Sequence, residues 1–281
     1  MQLNISNKVF DFTQRTYMMG ILNVTPDSFS DGGKYLNADA AFKRAMQMVE
    51  EGADIIDVGG ESTRPKGLYG EGARRISAEE EMERVIPVIE QITKSTDIII
   101  SIDTFKSTVA EEAIKTGASI VNDISGLRFD PAIASVAARY HAALVVMHIQ
   151  GTPETMQLNP SYTDVVLEVK EELRQSVEQA RVAGVQNVIV DPGIGFGKNL
   201  GHNLTLLKNL SALKELECPI LVGTSRKGFI GTLLNTAVDD RLEGTAASVA
   251  VAVMNGANII RAHDVKAMKR VQIIIDAIMR A

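Results

Sequence analysis

The sequence predicts an α/β fold, a closed (β/α)8 barrel of the TIM type with a short N-terminal β-hairpin outside it. Three observations carry that expectation. Eight short runs rich in Ile, Val, Leu and Met alternate strictly with segments of helical apolar spacing, the pattern of a parallel sheet. The runs are continuously apolar rather than alternating, as strands covered on both faces are. Eight such units in about 260 residues match the usual size of a closed barrel. A doubly wound open sheet is the competing architecture, and periodicity alone does not exclude it.

Taken in order, residues 1–16 stand outside the rhythm. Val9-Phe10-Asp11-Phe12 alternates and Ser6-Asn7 suits a turn, so a hairpin plugging the barrel floor is expected. The strand runs are Met18–Leu22, Asp54–Val58, Ile98–Ile102, Ser119–Val121, Ala143–Met147, Val188–Val190, Ile220–Val222 and Asn258–Ile260. Helices are expected over Ala40–Glu51, Ala78–Lys94, Lys106–Lys115, Pro131–His141, Thr163–Ala183, Leu204–Leu216, Asp239–Met254 and Val265–Met279. Gly52, Gly117, Gly184 and Gly256 fall just past helix ends, where a left-handed residue is wanted, and Asp164 or Ser161 and Asp264 sit where N-caps belong. No linker is visible, so residues 1–281 read as one domain, with 1–16 the hairpin and 17–281 the barrel.

Composition narrows the function. The 35 acidic against 29 basic residues leave a net charge of −6, the wrong sign for a general nucleic-acid binder. A single cysteine, Cys218, excludes an internal disulfide and a Cys-based zinc site. No apolar run reaches the ~18–20 residues of a membrane span, since Ser248–Ile260 is cut by Asn255 and Gly256. With no secretory signal at Met1-Gln2-Leu3-Asn4, a cytoplasmic protein is the expectation.

Each strand run leads into a polar cluster, whereas the opposite ends carry bland turns such as Glu51-Gly52-Ala53 and Thr116-Gly117-Ala118. The first run leads to Asn23 and a Gly-rich stretch through Gly33, the second to Gly59-Gly60-Glu61-Ser62-Thr63-Arg64-Pro65. Asp103-Thr104, Asn122-Asp123 and His148 follow the next three, Asp191 to Lys198 the sixth, Gly223-Thr224-Ser225-Arg226-Lys227 the seventh, and Arg261-Ala262-His263-Asp264 the last. That asymmetry places an active site at the C-terminal mouth of a barrel. Asp103, Asn122 and Asp191 read as acceptors and amides without a cation beside them, suited to a flat, NH-rich heterocycle. Lys227, Arg261 and His263 gather after the seventh and eighth runs, where such barrels commonly hold phosphate. The ligand read from this layout is an N-rich ring carrying a phosphate at its far end.

Other signals are weaker. Gly193-x-Gly195-x-Gly197-Lys198 lacks P-loop spacing and suits a structural turn with Phe196 packed. No His pair has zinc spacing, and His141 and His202 read as surface or helix residues. Mg2+ could use Asn23, Asp31 and substrate phosphate oxygens, while Asp27 and Asp31 equally suit turn capping, and spacing does not separate these. Glu79-Glu80-Glu81 starts a helix, where negative charge is favourable, and reads as a solvated face. Cys218 precedes the seventh strand, at the wrong end for chemistry, and reads as core. Val249, Val253 and Ile274 suit either core or an interface.

Gly20 to Gly33, Asp57 to Pro65, Ser101-Ile102-Asp103-Thr104, Val121-Asn122-Asp123, Asp191 to Lys198, Ser225-Arg226-Lys227 and Arg261-Ala262-His263-Asp264 together resemble dihydropteroate synthases, in the family's order and over nearly the whole chain. The resemblance implies a cytoplasmic, homodimeric transferase of folate biosynthesis. It would join 6-hydroxymethyl-7,8-dihydropterin diphosphate to 4-aminobenzoate with Mg2+, releasing diphosphate. It puts Asp103, Asn122, Met147, Asp191, Gly223 and Lys227 around the pterin. Asn23, Thr63, Arg64, Arg261 and His263 would serve the diphosphate, with Asn23 at the metal. Phe29, Pro65, Phe196 and Lys227 would flank the aminobenzoate, where sulfonamides compete. Asp31 and Thr63-Arg64-Pro65 lie on loops that close over the site, so Asp31, Thr63, Arg64, Asp103, Lys227, Arg261 and His263 are the expected catalytic set. The segment Lys66 to Arg75 departs from the family by its length.

Leaving-group charge would be stabilised by Arg261, His263 and Mg2+, and the cationic methylene left on the pterin by Asp103 and Asp191, which favours a dissociative, SN1-like route. Lys227 suits either ring orientation or anion binding. The rivals are a pterin-barrel methyltransferase acting on a corrinoid protein, which leaves Ser225-Arg226-Lys227 unexplained, and a pterin-binding paralogue without activity.

Overall fold

The barrel closes. In the computed structural model, which describes residues 1–25, 34–63 and 75–281 apart from the side chains of 34–37, the strands are β1 (Gln2–Ile5), β2 (Lys8–Asp11), β3 (Tyr17–Asn23), β4 (Ile55–Gly59), β5 (Ile99–Asp103), β6 (Ile120–Asp123), β7 (Ala143–Met147), β8 (Val188–Asp191), β9 (Leu221–Val222) and β10 (Ile259–Ala262). β3 to β8 pair in parallel in chain order, and β10 lies between β9 and β3. A parallel bridge from Val190 to Ile220 joins β8 to the segment entering β9 and completes the ring. The helices around it are α1 (Lys34–Glu50), α2 (Ala78–Ser95), α3 (Ser107–Thr116), α4 (Ala132–Arg139), α5 (Val165–Val182), α6 (Leu200–Lys208), α7 (Gly228–Leu234), α8 (Leu242–Met254) and α9 (Val265–Arg280). None of the described helices is long and apolar enough to cross a membrane.

Two apolar layers separate the two faces of every strand. Met18, Ile56, Ile100, Val121, Leu144, Val188, Val222 and Ile260 pack outward under the helices. Met19, Ile55, Ile99, Ile120, Val145, Ile189, Leu221 and Ile259 fill the bore. The β1–β2 hairpin pairs antiparallel and adds Ile5 and Phe10 to that inner cluster, so it plugs the floor as its alternation predicts. Burying each of these side chains contributes about 1.5–3 kcal/mol.

The element borders hold with local exceptions. Asp164 caps α5 by accepting from the N–H groups of Val166 and Leu167, and Gly52, Gly117, Gly184 and Gly256 all have positive φ. Asp264 does not cap α9, because its carboxylate pairs with Arg226 at 2.6 Å instead. The helix expected over Leu204–Leu216 is two pieces. Asn199 and His202 form a capping box that starts α6 early, and after Asn209 the chain tightens into a 3-10 helix, Leu210–Leu216. The helix expected from Asp239 begins at Leu242, preceded by the separate α7. Val249 and Val253 are core, whereas Ile274 is exposed, and Cys218 is buried. Glu81 is not solvated but 1% exposed, because the Lys106 ammonium binds it together with Glu61.

Candidate active site at the barrel mouth

The two-residue period of a strand decides which polar residues face the bore. Counting up from the inner apolar layer, Asp57 and Gly59 share the face of Ile55, Asp103 that of Ile99, and Asn122 that of Ile120. Met147 shares that of Val145, Asp191 that of Ile189, and Arg261 that of Ile259. Register carries this across strands, with Asn23 opposite Gly59, Gly59 opposite Asp103, Asp103 opposite Asn122 and Met147 opposite Asp191. The neighbours Asp123 and His148 fall on the other face. Asp123 accepts from the N–H groups of Ser125 and Leu127, a buried turn, and His148 faces α5.

The charges do not divide as expected. Arg261 lies directly against the carboxylates, its Nε donating to Asp57 Oδ2 at 2.6 Å and its Nη2 to Asp103 Oδ2 at 2.5 Å. Barrel closure explains it, because β10 pairs with β3, one strand from β4, and an inward guanidinium there is long enough to span the bore. The reading of Asp103 as free of any cation is therefore corrected. Asn122 Nδ2 donates to the same Asp57 oxygen at 3.0 Å, while Asp57 Oδ1 is buried and has no partner among the described residues. Burial drives the Asp103 carboxyl up to about 7 against the opposing pull of Arg261. Burial alone would lower the Arg261 guanidinium, but Asp57 and Asp103 more than offset it and hold it above its ordinary value. Asp57 was not among the expected site residues, although its parity with Ile55 marks it as inward.

Asp191 anchors the next turn by accepting from the Gly193 N–H at 2.7 Å, and its burial raises the carboxyl above its usual range. Gly193, Gly195 and Gly197 all have positive φ. A Cβ on Gly193 would stand 1.8 Å from the His148 carbonyl oxygen, so no other residue fits. Lys227 reaches this turn, donating to the Ile194 carbonyl with its Nζ 4.3 Å from the Phe196 ring centre. Burial brings its ammonium down to about 8, with Arg261 adding to the effect and Asp191 and Asp103 opposing it. Gly223 lies beside Arg261, a Cβ built there coming 3.7 Å from the Arg261 Cβ. Met147 belongs to a third apolar cluster with Phe105, Ile124, Ile149 and Met156, against which Phe196 packs.

On the other flank, Ser225 Oγ accepts from the His263 N–H at 3.2 Å and is hydrogen-bonded with His263 Nδ1 at 3.0 Å, and the His263 carbonyl accepts from Arg44 at 2.9 Å. Arg226, by contrast, braces Asp264. Thr63 is half-buried where the chain leaves β4. Asp27, Phe29, Asp31, Arg64 and Pro65, and residues 66–74 of the segment expected to depart in length, lie outside the described residues. Arg75, the first described residue after them, pairs with Glu154 at 2.7 Å.

No cluster of three His, Cys, Asp or Glu side chains able to hold a metal occurs among the described residues. A cavity of about 620 Å³ opens at the opposite end, lined by Arg15, Asp54, Lys269 and Asp276 among others. Its cations are already paired, Arg15 and Lys269 with Asp54 at 2.7 Å and 3.1 Å and Arg280 with Asp276 at 3.3 Å, whereas the mouth gathers Asp57, Asp103, Asp191, Lys227 and Arg261 around one bore.

Residues 19–263 match the family described as pterin binding enzyme. A dihydropteroate synthase of Synechocystis is 46% identical over 281 residues, covering 99% of this chain and 95% of that protein. The Yersinia pestis dihydropteroate synthase, solved in complex with a sulfonamide drug, superposes with a TM-score of 0.92 at 42% identity over 100% of both chains. The Xanthomonas albilineans enzyme, solved with 4-aminobenzoic acid, gives 0.91 at 38% identity over 100% of this chain and 98% of that one. Fold, mouth and sequence agree, and the chain belongs to the pterin-binding enzymes, among the dihydropteroate synthases.

Proposed function

We propose that the mouth carries out the synthase reaction, condensing 6-hydroxymethyl-7,8-dihydropterin diphosphate with 4-aminobenzoate, with its roles divided as follows. Asp191, Asn122 and Asp103 recognise the pterin, offering acceptors to its ring and exocyclic N–H groups, with Met147 and Gly223 as its walls. The C–O bond to diphosphate breaks with its electron pair leaving on oxygen. Arg261 and His263 take up that charge, with Asn23, Thr63 and Arg64 beside them. Two of the five N–H groups of Arg261 are engaged by Asp57 and Asp103, which leaves three for phosphate oxygens. The methylene left on the ring is cationic. Two carboxylates to one guanidinium make the Asp57–Asp103–Arg261 group negative in sum when both acids are ionised, which lowers the energy of that cation. The arylamine nitrogen then forms the C–N bond with its lone pair and sheds a proton, so no protein nucleophile takes part. Phe196 and Lys227 flank the aminobenzoate ring, the place where a sulfonamide competes, and the resemblance to the family gives Phe29 and Pro65 the same role and Asp31 a catalytic one.

Mg2+ fits this arrangement at Asn23. The Asn23 side chain forms no hydrogen bond with any described residue, and Mg2+ commonly relies on few protein ligands plus substrate phosphate. Bound there, it would supply neutralisation of the departing diphosphate. We further place the enzyme in the cytoplasm, in keeping with its single thiol. We also propose that it acts as a homodimer through the apolar surface of α8 and α9. There Val251, Met254, Ile274 and Ile278 are 44%, 61%, 61% and 68% exposed, a patch that a second copy would cover. Light scattering at micromolar concentration is expected to give twice the chain mass, and a monomer would refute it.

The observation that carries the reading is the convergence of Asp57, Asp103, Asn122, Asp191, Lys227 and Arg261 on one bore. Labelled dihydropteroate is expected from the two substrates and Mg2+, with equimolar diphosphate. Pterin binding without product, or methyl transfer to cob(I)alamin in its place, would overturn it.

A further inference from the structure

Behind the bore wall lies a buried lysine that the proposed reaction does not use, its amine pushed well below the ordinary lysine range by burial. Lys198 is 2% exposed and His148 3%. Lys198 Nζ is hydrogen-bonded with His148 Nδ1 at 2.8 Å and donates to the Phe196 carbonyl at 2.9 Å and, more weakly, to the His148 carbonyl at 3.4 Å. Burial lowers the His148 imidazole below its ordinary value, and its Nε2 stands 3.4 Å from Glu172 on α5. Burying an amine is costly unless it finds hydrogen-bond partners, and here the partners come from two different loops, those following β7 and β8. Lys198 therefore ties the end of β7 to the turn that follows β8.

That turn has little freedom elsewhere. Gly193 N–H is held by Asp191, Gly195 N–H by Asn203 Oδ1 at 2.7 Å, and the Gly195 and Gly197 carbonyls by Gln157 and Tyr162. Its glycines press on the β7 loop so closely that a Cβ at Gly197 would lie 2.6 Å from the Gln150 carbonyl oxygen. The Phe196 carbonyl, however, is taken by Lys198, and the Phe196 ring is the surface against which Lys227 rests.

We propose that Lys198 and His148 are a positioning pair for the aminobenzoate subsite: the buried Lys198–His148 bond sets the Phe196 peptide, and through it the ring that faces Lys227. Neither residue touches the reacting atoms. The assignment rests on the reading of Phe196 and Lys227 as the aminobenzoate flank, and it extends that reading to residues outside the bore.

The test compares wild type with Lys198→Met, His148→Leu and His148→Gln in the full chain. Each variant is melted to establish folding, and KM is measured separately for the two substrates. A Gln side chain can accept from Lys198 through its amide oxygen, so it preserves the bond that Leu abolishes. Lys198→Met and His148→Leu are expected to raise the aminobenzoate KM about tenfold and to leave the pterin diphosphate KM within about twofold. His148→Gln is expected to stay within about threefold of wild type for both. An unchanged aminobenzoate KM in Lys198→Met overturns the proposal, as does an equal rise in both KM values. His148→Gln as impaired as His148→Leu does the same. If Lys198→Met does not fold, the His148 pair decides. A readout without turnover separates this proposal from the functional reading it rests on. In protein labelled with 13Cε-lysine, the Lys227 resonance is expected to titrate at least one unit higher in His148→Leu than in wild type and unshifted in His148→Gln. A wild-type enzyme that makes no dihydropteroate refutes the functional reading alone, whereas an unmoved Lys227 titration in His148→Leu refutes the positioning pair.

Discussion

Arg261→Met isolates the charge cluster at the centre of the mouth. The substitution keeps the aliphatic volume and removes the guanidinium that Asp57 and Asp103 share. Asp57 is fully buried and the Asp103 side chain 18% exposed, so both lose their counter-charge in a poorly solvated place. Breaking one buried ion pair by deleting a partner costs about 3–5 kcal/mol. Arg261 itself is 19% exposed, which favours the lower end, about 3 kcal/mol, or about 6–9 °C in Tm for a chain of this size. The pH dependence carries the sharper signature. Asp103 titrates at about 7 in the folded wild type, above the ordinary 3.8, and losing Arg261 moves it higher still. Below about 7 the acid is protonated in both proteins and its share of the deficit vanishes. Above that value it is ionised in the wild type but opposed in the variant, so the deficit widens with rising pH. Urea denaturation followed by circular dichroism at pH 6 and pH 8.5 measures both quantities. Restoring neutrality with Asp57→Asn and Asp103→Asn in the Arg261→Met background is expected to recover most of the loss. A deficit below about 1 kcal/mol at pH 8.5, or one that grows toward pH 6, would refute the reasoning.

Two further outcomes follow from the same geometry. Asp191→Ala is expected to abolish pterin binding in calorimetry while leaving a folded barrel, and retained affinity would remove Asp191 from the pterin subsite. Lys227→Met is expected to stabilise the protein at pH 7. The Lys227 ammonium titrates near 8 when folded against an ordinary 10.5, so the unfolded chain binds more protons between those values and wild-type stability rises with pH across that window. Discounting the bond to Ile194 and the contact with Phe196 leaves about 2 kcal/mol in favour of the variant at pH 7, fading by pH 10.5. Melting curves at the two pH values check it, and a variant less stable than wild type at pH 7 sinks it.

The strands and their polar ends were legible because period and composition are local properties. A run such as Ala143–Met147 announces a buried strand, and Asn23, Asp103 and Asp191 each close one on the inward parity. What stayed hidden was set by distant closure. Arg261 meets Asp57 and Asp103 from 204 and 158 residues away, and nothing near Arg261 in the chain indicates that its guanidinium turns toward acids. Adjacent polar pairs were ambiguous for a related reason. Asn122-Asp123 and Met147-His148 each send one residue into the bore and one behind it, and a one-residue uncertainty in the strand border exchanges them. The short α7 went unread because two glycines in seven residues depress helical propensity, and its place is fixed by packing of Phe229 and Ile230.

The two ends of the barrel divide stability from chemistry in a way that explains the charged groups of the mouth. At the floor, Ile5, Phe10, Tyr17 and Met19 close the bore with apolar contacts, and the flanking Arg15, Asp54 and Lys269 neutralise one another. At the mouth, Asp57 Oδ1 has no partner among the described residues, Asp103 and Asp191 are raised, and Lys227 is lowered. A sequence selected for stability alone would replace that group with packed aliphatic residues at little or no loss. Its retention makes sense if a charged, hydrogen-bonding substrate completes it, because donors to the orphaned carboxylate and anions on Arg261 then meet partners already desolvated and in place. On that argument ligand binding should stabilise the mouth more than the floor. Amide exchange slowed at β5, β6 and β8 on adding a pterin, and unchanged in β1 and β2, is the pattern it requires.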